Sequence, residues 1–103
     1  MSDWVRVAGV DEVAAGGRLS VEIDDTLALL LRDGERYYCI EDLCTHDGQP
    51  LTNGEYANGC ITCPRHGAKF DVATGEPKCM PATEPVRTFP VEARPDGIYV
   101  SAH

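Results

Sequence analysis

The stretch that decides the fold is residues 27–40, which read Leu27-Ala28-Leu29-Leu30-Leu31-Arg32-Asp33-Gly34-Glu35-Arg36-Tyr37-Tyr38-Cys39-Ile40. Two runs with the character of β-strands flank Asp33-Gly34, where glycine tolerates a positive φ. This arrangement predicts a tight β-hairpin, and it is the strongest local signal in the chain.

Shorter strands are predicted on both sides of this hairpin, because apolar and polar residues alternate there as they do in half-buried strands. Turns are predicted at Gly16-Gly17 and at Asp96-Gly97. Residues Val10 to Ala15 allow a helical turn or two, and little other helix is expected. The five or six predicted strands form one antiparallel base and lie at Trp4–Val7, Arg18–Ile23, Leu27–Arg32, Arg36–Ile40, Val86–Phe89 with Val91, and Ile98–Val100.

The middle of the chain, from residue 41 to residue 85, differs from the rest in its content of glycine and proline. Glycine and proline interrupt every candidate strand there, and only Cys60–Thr62 and Ala68–Asp71 look extended. No repeat and no low-complexity linker separates this segment from the rest. We therefore expect one domain over residues 1–103, with a loop-rich subdomain at about 41–85 inserted in the β base.

Composition restricts the possible partners. The chain has 103 residues, 43% of them hydrophobic, and a formal charge of −8 from 17 acidic and 9 basic residues. Such a surface repels phosphate backbones and anionic membranes, so a nucleic-acid or membrane partner is not expected. No signal peptide and no apolar run of about 20 residues is visible, which predicts a soluble, cytoplasmic protein.

Two short motifs carry the chemistry: Cys44-Thr45-His46 and Cys63-Pro64-Arg65-His66, with 16 residues between His46 and Cys63. Each motif offers one thiolate and one imidazole, and together they supply the four ligands of a 2Fe-2S cluster or a tetrahedral zinc. Structural zinc sites usually take Cys-x2-4-Cys and His-x3-5-His pairs, which these mixed pairs do not match. Two similar loops instead suit a cluster whose two irons each need two protein ligands.

The double motif, with Gly48 and Gly67 just after the histidines, resembles that of the Rieske ferredoxins, and most of all the soluble ferredoxins of multicomponent aromatic-ring dioxygenases. The resemblance implies an all-β fold, a Rieske-type antiparallel β-sandwich with a small loop-rich cluster-binding subdomain. It also implies one Rieske 2Fe-2S cluster, with Cys44 and Cys63 on one iron and His46 and His66 on the other.

The function implied by the resemblance is that of a one-electron carrier and not of an enzyme. The expected partners are a flavin-containing NAD(P)H-dependent ferredoxin reductase and a terminal oxygenase, and the expected state is a monomer. The high-potential members of the family carry an extra cysteine in each loop, where this chain has Gln49 and Arg65. Ala68 and Phe70 stand where those members have hydroxyl donors, so a potential at the low end of the family range is expected.

Alternatives remain open at this point. The cluster could serve iron-sulfur assembly or another oxidoreductase, or the chain could be a zinc-stabilised interaction module. The small subunit of assimilatory nitrite reductase shares the fold but lacks cluster ligands, which this chain keeps. Asp47 and Arg65 are expected to be solvated rim charges and His103 a solvated terminal side chain.

The remaining three cysteines have simpler interpretations. Cys39 is predicted to be a buried thiol in a strand. Cys60 makes a Cys-x-x-Cys pair with Cys63, but no helix start follows, which disfavours a thioredoxin-like motif. Cys79 is either an inert thiol or a neighbour of the cluster.

Overall fold

The computed structural model describes residues 4–45, 48–64, 67–80 and 83–102, and that part of the chain contains strands and no helix. The all-β prediction is confirmed. The described residues contain no helix that is long and apolar enough to cross a membrane. The strands are β1 (Trp4–Ala8), β2 (Arg18–Ile23), β3 (Thr26–Asp33), β4 (Arg36–Glu41), β5 (Tyr56–Ala57), β6 (Cys60–Thr62), β7 (Lys69–Asp71), β8 (Pro77–Cys79), β9 (Thr88–Phe89), β10 (Val91–Arg94) and β11 (Gly97–Ser101).

The strands form three antiparallel sheets. Their orders are β1-β11-β10, β2-β3-β4-β9 and β5-β6-β7-β8. The predicted hairpin is β3-β4, in which Asp33 pairs with Arg36 and Gly34 has a φ of 61°. The turn is therefore Gly34-Glu35, one residue later than predicted.

The single base that the sequence predicts is divided between two sheets. The run from Val86 to Val91 supplies β9 to one sheet and β10 to the other, because Pro90 interrupts the strand between them. The third sheet contains the two predicted strands β6 and β7, and also the short strands β5 and β8, which the sequence did not indicate. Residues 10–15 form turns and no helix.

β3 is the central element, and two cores lie on its opposite faces. Leu29 and Leu31 belong to the core shared with the middle segment, which we call the loop-side core, while Ala28 and Leu30 belong to the other, the base core. All four residues are at most 1% exposed. A strand buried on both faces needs an unbroken apolar run instead of an alternating one. Each buried leucine contributes about 1.5–3 kcal/mol relative to an exposed one.

The turn between β2 and β3 has an unusual backbone. Ile23 pairs with Thr26, so the loop has two residues, and both Asp24 and Asp25 have positive φ, at 47° and 65°. Positive φ at both loop residues gives a two-residue hairpin the twist of its flanking strands, but glycine or asparagine usually occupies such positions. The two aspartates therefore hold a mildly strained turn.

Asp25→Gly is expected to raise the free energy of unfolding by about 0.5–1 kcal/mol, because glycine adopts positive φ without a steric penalty. The midpoint of urea denaturation measures the change. Asp11→Gly is the matched control, since it removes the same charge at an exposed turn position whose φ is not positive. Equal midpoints for the two variants would contradict this account of the turn.

Candidate metal centre

The first cysteine loop follows β4 and is closed by two backbone hydrogen bonds. The amide of Cys44 donates to the carbonyl oxygen of Gln49 at 2.7 Å, and the amide of Gly48 donates to the carbonyl oxygen of Cys44 at 2.7 Å. Gly48 has a φ of 76°. The loop therefore turns back on itself around the cysteine.

The second loop, between β6 and β7, repeats this pattern. The amide of Cys63 donates to the carbonyl oxygen of Ala68 at 2.7 Å, and that of Gly67 donates to the carbonyl oxygen of Cys63 at 3.1 Å. Gly67 also has a φ of 76°. Cysteine and glycine are four residues apart in both loops. The two loops thus share one backbone conformation around their cysteines.

The two cysteines are enclosed by apolar side chains. Cys44 is 0% exposed and Cys63 is 1% exposed, and both belong to the loop-side core together with Leu51 and Ala68. None of the five cysteines, all of which lie in the described ranges, forms a disulfide. Two thiols buried in matched loops fit a thiolate-ligated cluster, because apolar surroundings exclude solvent from the sulfur ligands.

The predicted histidine ligands, His46 and His66, lie outside the described residues, as do Asp47, Arg65 and His103. The structure therefore places two of the four predicted ligands, Cys44 and Cys63. Among the residues it describes, no group of three or more His, Cys, Asp or Glu side chains is arranged to hold a metal ion.

Asp42 anchors the first loop at its base. Its carboxylate accepts a hydrogen bond from the amide of Leu51 at 2.6 Å and another from the hydroxyl of Thr52. Its own amide donates to the carbonyl oxygen of Leu27 at 3.0 Å. Hydrogen bonds to a charged group contribute about 1.5–3 kcal/mol each. Asp42 therefore fixes both ends of the first loop to β3, a role that the sequence did not suggest.

A second anchor comes from β2. The Nη1 atom of Arg18 donates to the carbonyl oxygens of Thr52, at 2.8 Å, and Gly54. Gly54 is buried, and a Cβ atom built on it would lie 2.0 Å from the carbonyl oxygen of Thr62. Only glycine allows the chain to pass this close to β6.

Residues 83–86 form a segment that is held from two sides. The hydroxyl of Thr45 in the first loop donates to the carbonyl oxygen of Glu84 at 2.7 Å. The amide of Val86 donates to the carbonyl oxygen of Gly75 at 2.8 Å, next to the turn between β7 and β8. The segment thus links the first loop to the sheet that carries the second.

The tip of the β3-β4 hairpin is tied to the middle segment as well. The hydroxyl of Tyr56 on β5 donates to Oδ2 of Asp33 at 2.7 Å. Burial, and then the hydrogen bond and charge of Asp33, raise the pKa of Tyr56 above its usual range. The phenol therefore stays protonated and keeps this bond near neutral pH.

The other three cysteines lie outside the two loops, on β4, β6 and β8. Cys39 is 1% exposed on β4 in the base core, which confirms the predicted buried thiol, and burial raises its pKa to about 12. Cys60 begins a β-strand, β6, instead of preceding a helix, so it does not form a thioredoxin-like motif with Cys63. Cys79 is exposed at the end of β8, opposite Lys69.

Comparison with known proteins agrees with these observations. The Rieske [2Fe-2S] domain family matches residues 3–90. Over 96 residues the chain is 35% identical to the 3-phenylpropionate/cinnamic acid dioxygenase ferredoxin subunit of Photorhabdus laumondii, covering 92% of this chain and 90% of that protein. It is 32% identical over 91 residues to the anthranilate 1,2-dioxygenase ferredoxin subunit of Burkholderia cepacia, covering 88% and 84%.

Solved structures show the same relation. The ferredoxin of carbazole 1,9a-dioxygenase from Nocardioides aromaticivorans matches with a TM-score of 0.94 and 34% identity, over 99% of this chain and all of that one. A ferredoxin in complex with the oxygenase of carbazole 1,9a-dioxygenase matches with a TM-score of 0.90 and 31% identity, over 100% and 96% of the two chains. The chain belongs to the Rieske [2Fe-2S] domain family.

Within that family the chain is a ferredoxin of the kind found in dioxygenase systems, an electron-transfer component and not a catalytic enzyme. It holds one Rieske-type 2Fe-2S cluster. When bound, the cluster supplies the ability to store and release one electron. The described residues contribute two buried cysteines, Cys44 and Cys63, and a backbone frame that gives the two loops the same hydrogen-bond pattern.

Thr45→Val is expected to lower the free energy of unfolding by about 0.5–1.5 kcal/mol, because it removes the hydroxyl that bonds to Glu84 and leaves a similar shape. Thr45→Ser, which keeps the donor, is the matched control. The half-life of the visible absorption in air gives a second readout, and we expect it to shorten only in the valine variant. Identical behaviour of the two variants would show that the bond between the first loop and residues 83–86 has no stabilising role.

Proposed function

We propose that Cys44, His46, Cys63 and His66 hold the cluster and that the chain carries single electrons from a flavin-containing NAD(P)H-dependent ferredoxin reductase to a terminal oxygenase. The observation that carries the proposal is the shared conformation of the two cysteine loops, each of which buries its cysteine in one core. The names of the relatives support the oxygenase partner, because they are ferredoxin components of dioxygenase systems and one of them is in complex with its oxygenase.

The ligand types explain the redox behaviour that we propose. His46 and His66 would hold one iron through neutral imidazoles, which would put less negative charge on it than thiolates and so favour its reduction over that of the other iron. The thiols of Cys44 and Cys63 are buried, which supports electron entry and exit on the histidine side. His46 and His66 would thus form the docking tip for both partners.

We further propose that the protein works as a cytoplasmic monomer and that residues 1–103 form one Rieske domain in which the segment of about 41–85 binds the cluster. Five cysteines with no disulfide among them are typical of a reducing compartment. The third sheet, β5-β6-β7-β8, lies entirely within the proposed insertion.

The ligand assignment is tested by His46→Ala and Cys63→Ser, with Cys79→Ser as the control because its thiol is exposed and lies outside the loops. After anaerobic purification we expect two irons and two acid-labile sulfides per chain in the wild type and the control, with a low average g in the reduced form. The ligand variants are expected to lose the visible and magnetic spectra. An unchanged spectrum in His46→Ala would refute the assignment.

The reduction potential is expected at the low end of the Rieske range, which extends from about −150 to +300 mV. No disulfide joins the two loops, and Phe70, which is fully buried, has no hydroxyl to donate to a cluster sulfur. Fewer hydrogen bonds to the sulfurs stabilise the reduced form less. A potentiometric titration with a midpoint well above about 0 mV would contradict this prediction.

A further inference from the structure

One face of the sheet formed by β2, β3 and β4 is turned towards the cysteine loops. Residues directly opposite each other on antiparallel strands share a face. The strand pairing therefore arranges this face in three cross-strand rows, which we number from the Gly34 end of β3 towards the Asp25 end. The rows are Arg18-Leu31-Tyr38, Ser20-Leu29-Ile40 and Glu22-Leu27-Asp42.

The centre of the first two rows is buried under the middle segment, whereas Ser20, at the β2 edge of the second row, is exposed. Leu31, Leu29 and Ile40 are at most 1% exposed and belong to the loop-side core. Arg18 in the first row donates to carbonyl oxygens of Thr52 and Gly54. The covering chain thus packs directly on this face.

The third row is left uncovered beside the first cysteine loop. Leu27 is 64% exposed although it continues the face of Leu29 and Leu31, and Glu22 opposite it is exposed. The amide of Asp42 donates to the carbonyl oxygen of Leu27. The next residue, Leu43, is 36% exposed and directly precedes Cys44. Two partly exposed leucines therefore adjoin the loop of a cluster ligand.

Negative charge lies next to Leu27. Glu22 shares the face of Leu27, and the turn that follows presents Asp24 and Asp25, both exposed and both held by a positive φ. Arg18, the basic residue of β2 on this face, lies two rows away and is engaged by backbone carbonyls. We call the group Glu22, Asp24, Asp25, Leu27 and Leu43 the side ledge. It has an apolar centre and an acidic rim.

We propose that the side ledge is a docking surface for a basic surface patch on the protein that accepts the electron. The inference rests on the proposed carrier function. An apolar centre with a charged rim is the usual anatomy of a transient protein interface, and an acidic rim selects a partner with lysine or arginine around an apolar patch. Reduction makes the chain one unit more negative, so attraction to a basic partner is strongest when the electron is ready to leave.

The test uses the cluster-loaded protein and cytochrome c, a lysine-rich haem protein, as the acceptor. Dithionite reduces the cluster, excess reductant is removed, and one electron then passes from the cluster to ferric haem, leaving the cluster oxidised and the haem ferrous. Stopped-flow absorbance gives the second-order rate constant at several ionic strengths.

The rim is tested by the triple variant Glu22→Gln, Asp24→Asn, Asp25→Asn. Its control neutralises three exposed acids away from the ledge, Asp11→Asn, Glu35→Gln, Glu55→Gln, and so has the same net charge. At low ionic strength we expect the ledge variant to react about fivefold more slowly than the wild type and the control to change less than about twofold. Equal rate constants in the two triple variants would overturn the proposal.

The apolar centre is tested by Leu27→Gln, with Val5→Gln as the control because Val5 is a 46% exposed apolar residue on β1, in another sheet. We expect a slower rate at high ionic strength only for Leu27→Gln, since the apolar contact is not screened by salt. If both glutamine variants have the rate constant of the wild type, the apolar part of the ledge is refuted.

A different failure would concern the carrier function itself. A wild-type protein that holds its cluster but transfers no electron to cytochrome c contradicts that function.

Discussion

The rest of the structure depends on burying two cysteines on irregular backbone within one apolar core. Buried backbone amides and carbonyls need hydrogen-bond partners, and the irregular backbone of a loop lacks the regular pairing that a β-sheet provides. Each loop solves this internally: the cysteine amide bonds to the residue five positions later, and a glycine four positions later bonds back to the cysteine carbonyl. Positive φ at Gly48 and Gly67 makes this closure possible. The two cysteine side chains can then lie in apolar surroundings at fixed positions.

The two cores are coupled through a single strand. β3 gives Leu29 and Leu31 to the core that contains Cys44 and Cys63, and Ala28 and Leu30 to the base core. The polar anchors use the same sheet, since Arg18 on β2 and Asp42 after β4 bind the first loop. A change in the base that shifts β3 therefore reaches the cysteine loops through packed side chains.

Strong local patterns predicted the elements that depend on local chemistry: the β3-β4 hairpin, the strands at both ends and the burial of Cys39 all followed from the sequence. The short strands β5 and β8 did not, because strands of two or three residues are specified by their partners and not by their own composition. The sequence indicated two similar Cys/His loops but not their shared hydrogen-bond pattern, since the predicted histidines stand at different distances from Gly48 and Gly67. Cysteine-to-glycine spacing is the signal that could have shown it.

The position of the first loop also explains why the sheet face is incompletely covered. The chain leaves β4 at Asp42, and the bond from its amide to Leu27 marks the last row of the face. The Asp42 carboxylate binds the amide of Leu51 and the hydroxyl of Thr52, and Leu51 packs in the same core as Leu29 and Ile40, whereas Leu27 stays exposed. A later exit from β4 would carry Cys44 away from the core that it shares with Cys63. The point at which the chain leaves the sheet, next to the exposed Leu27, is thus tied to the position of Cys44 in the loop-side core.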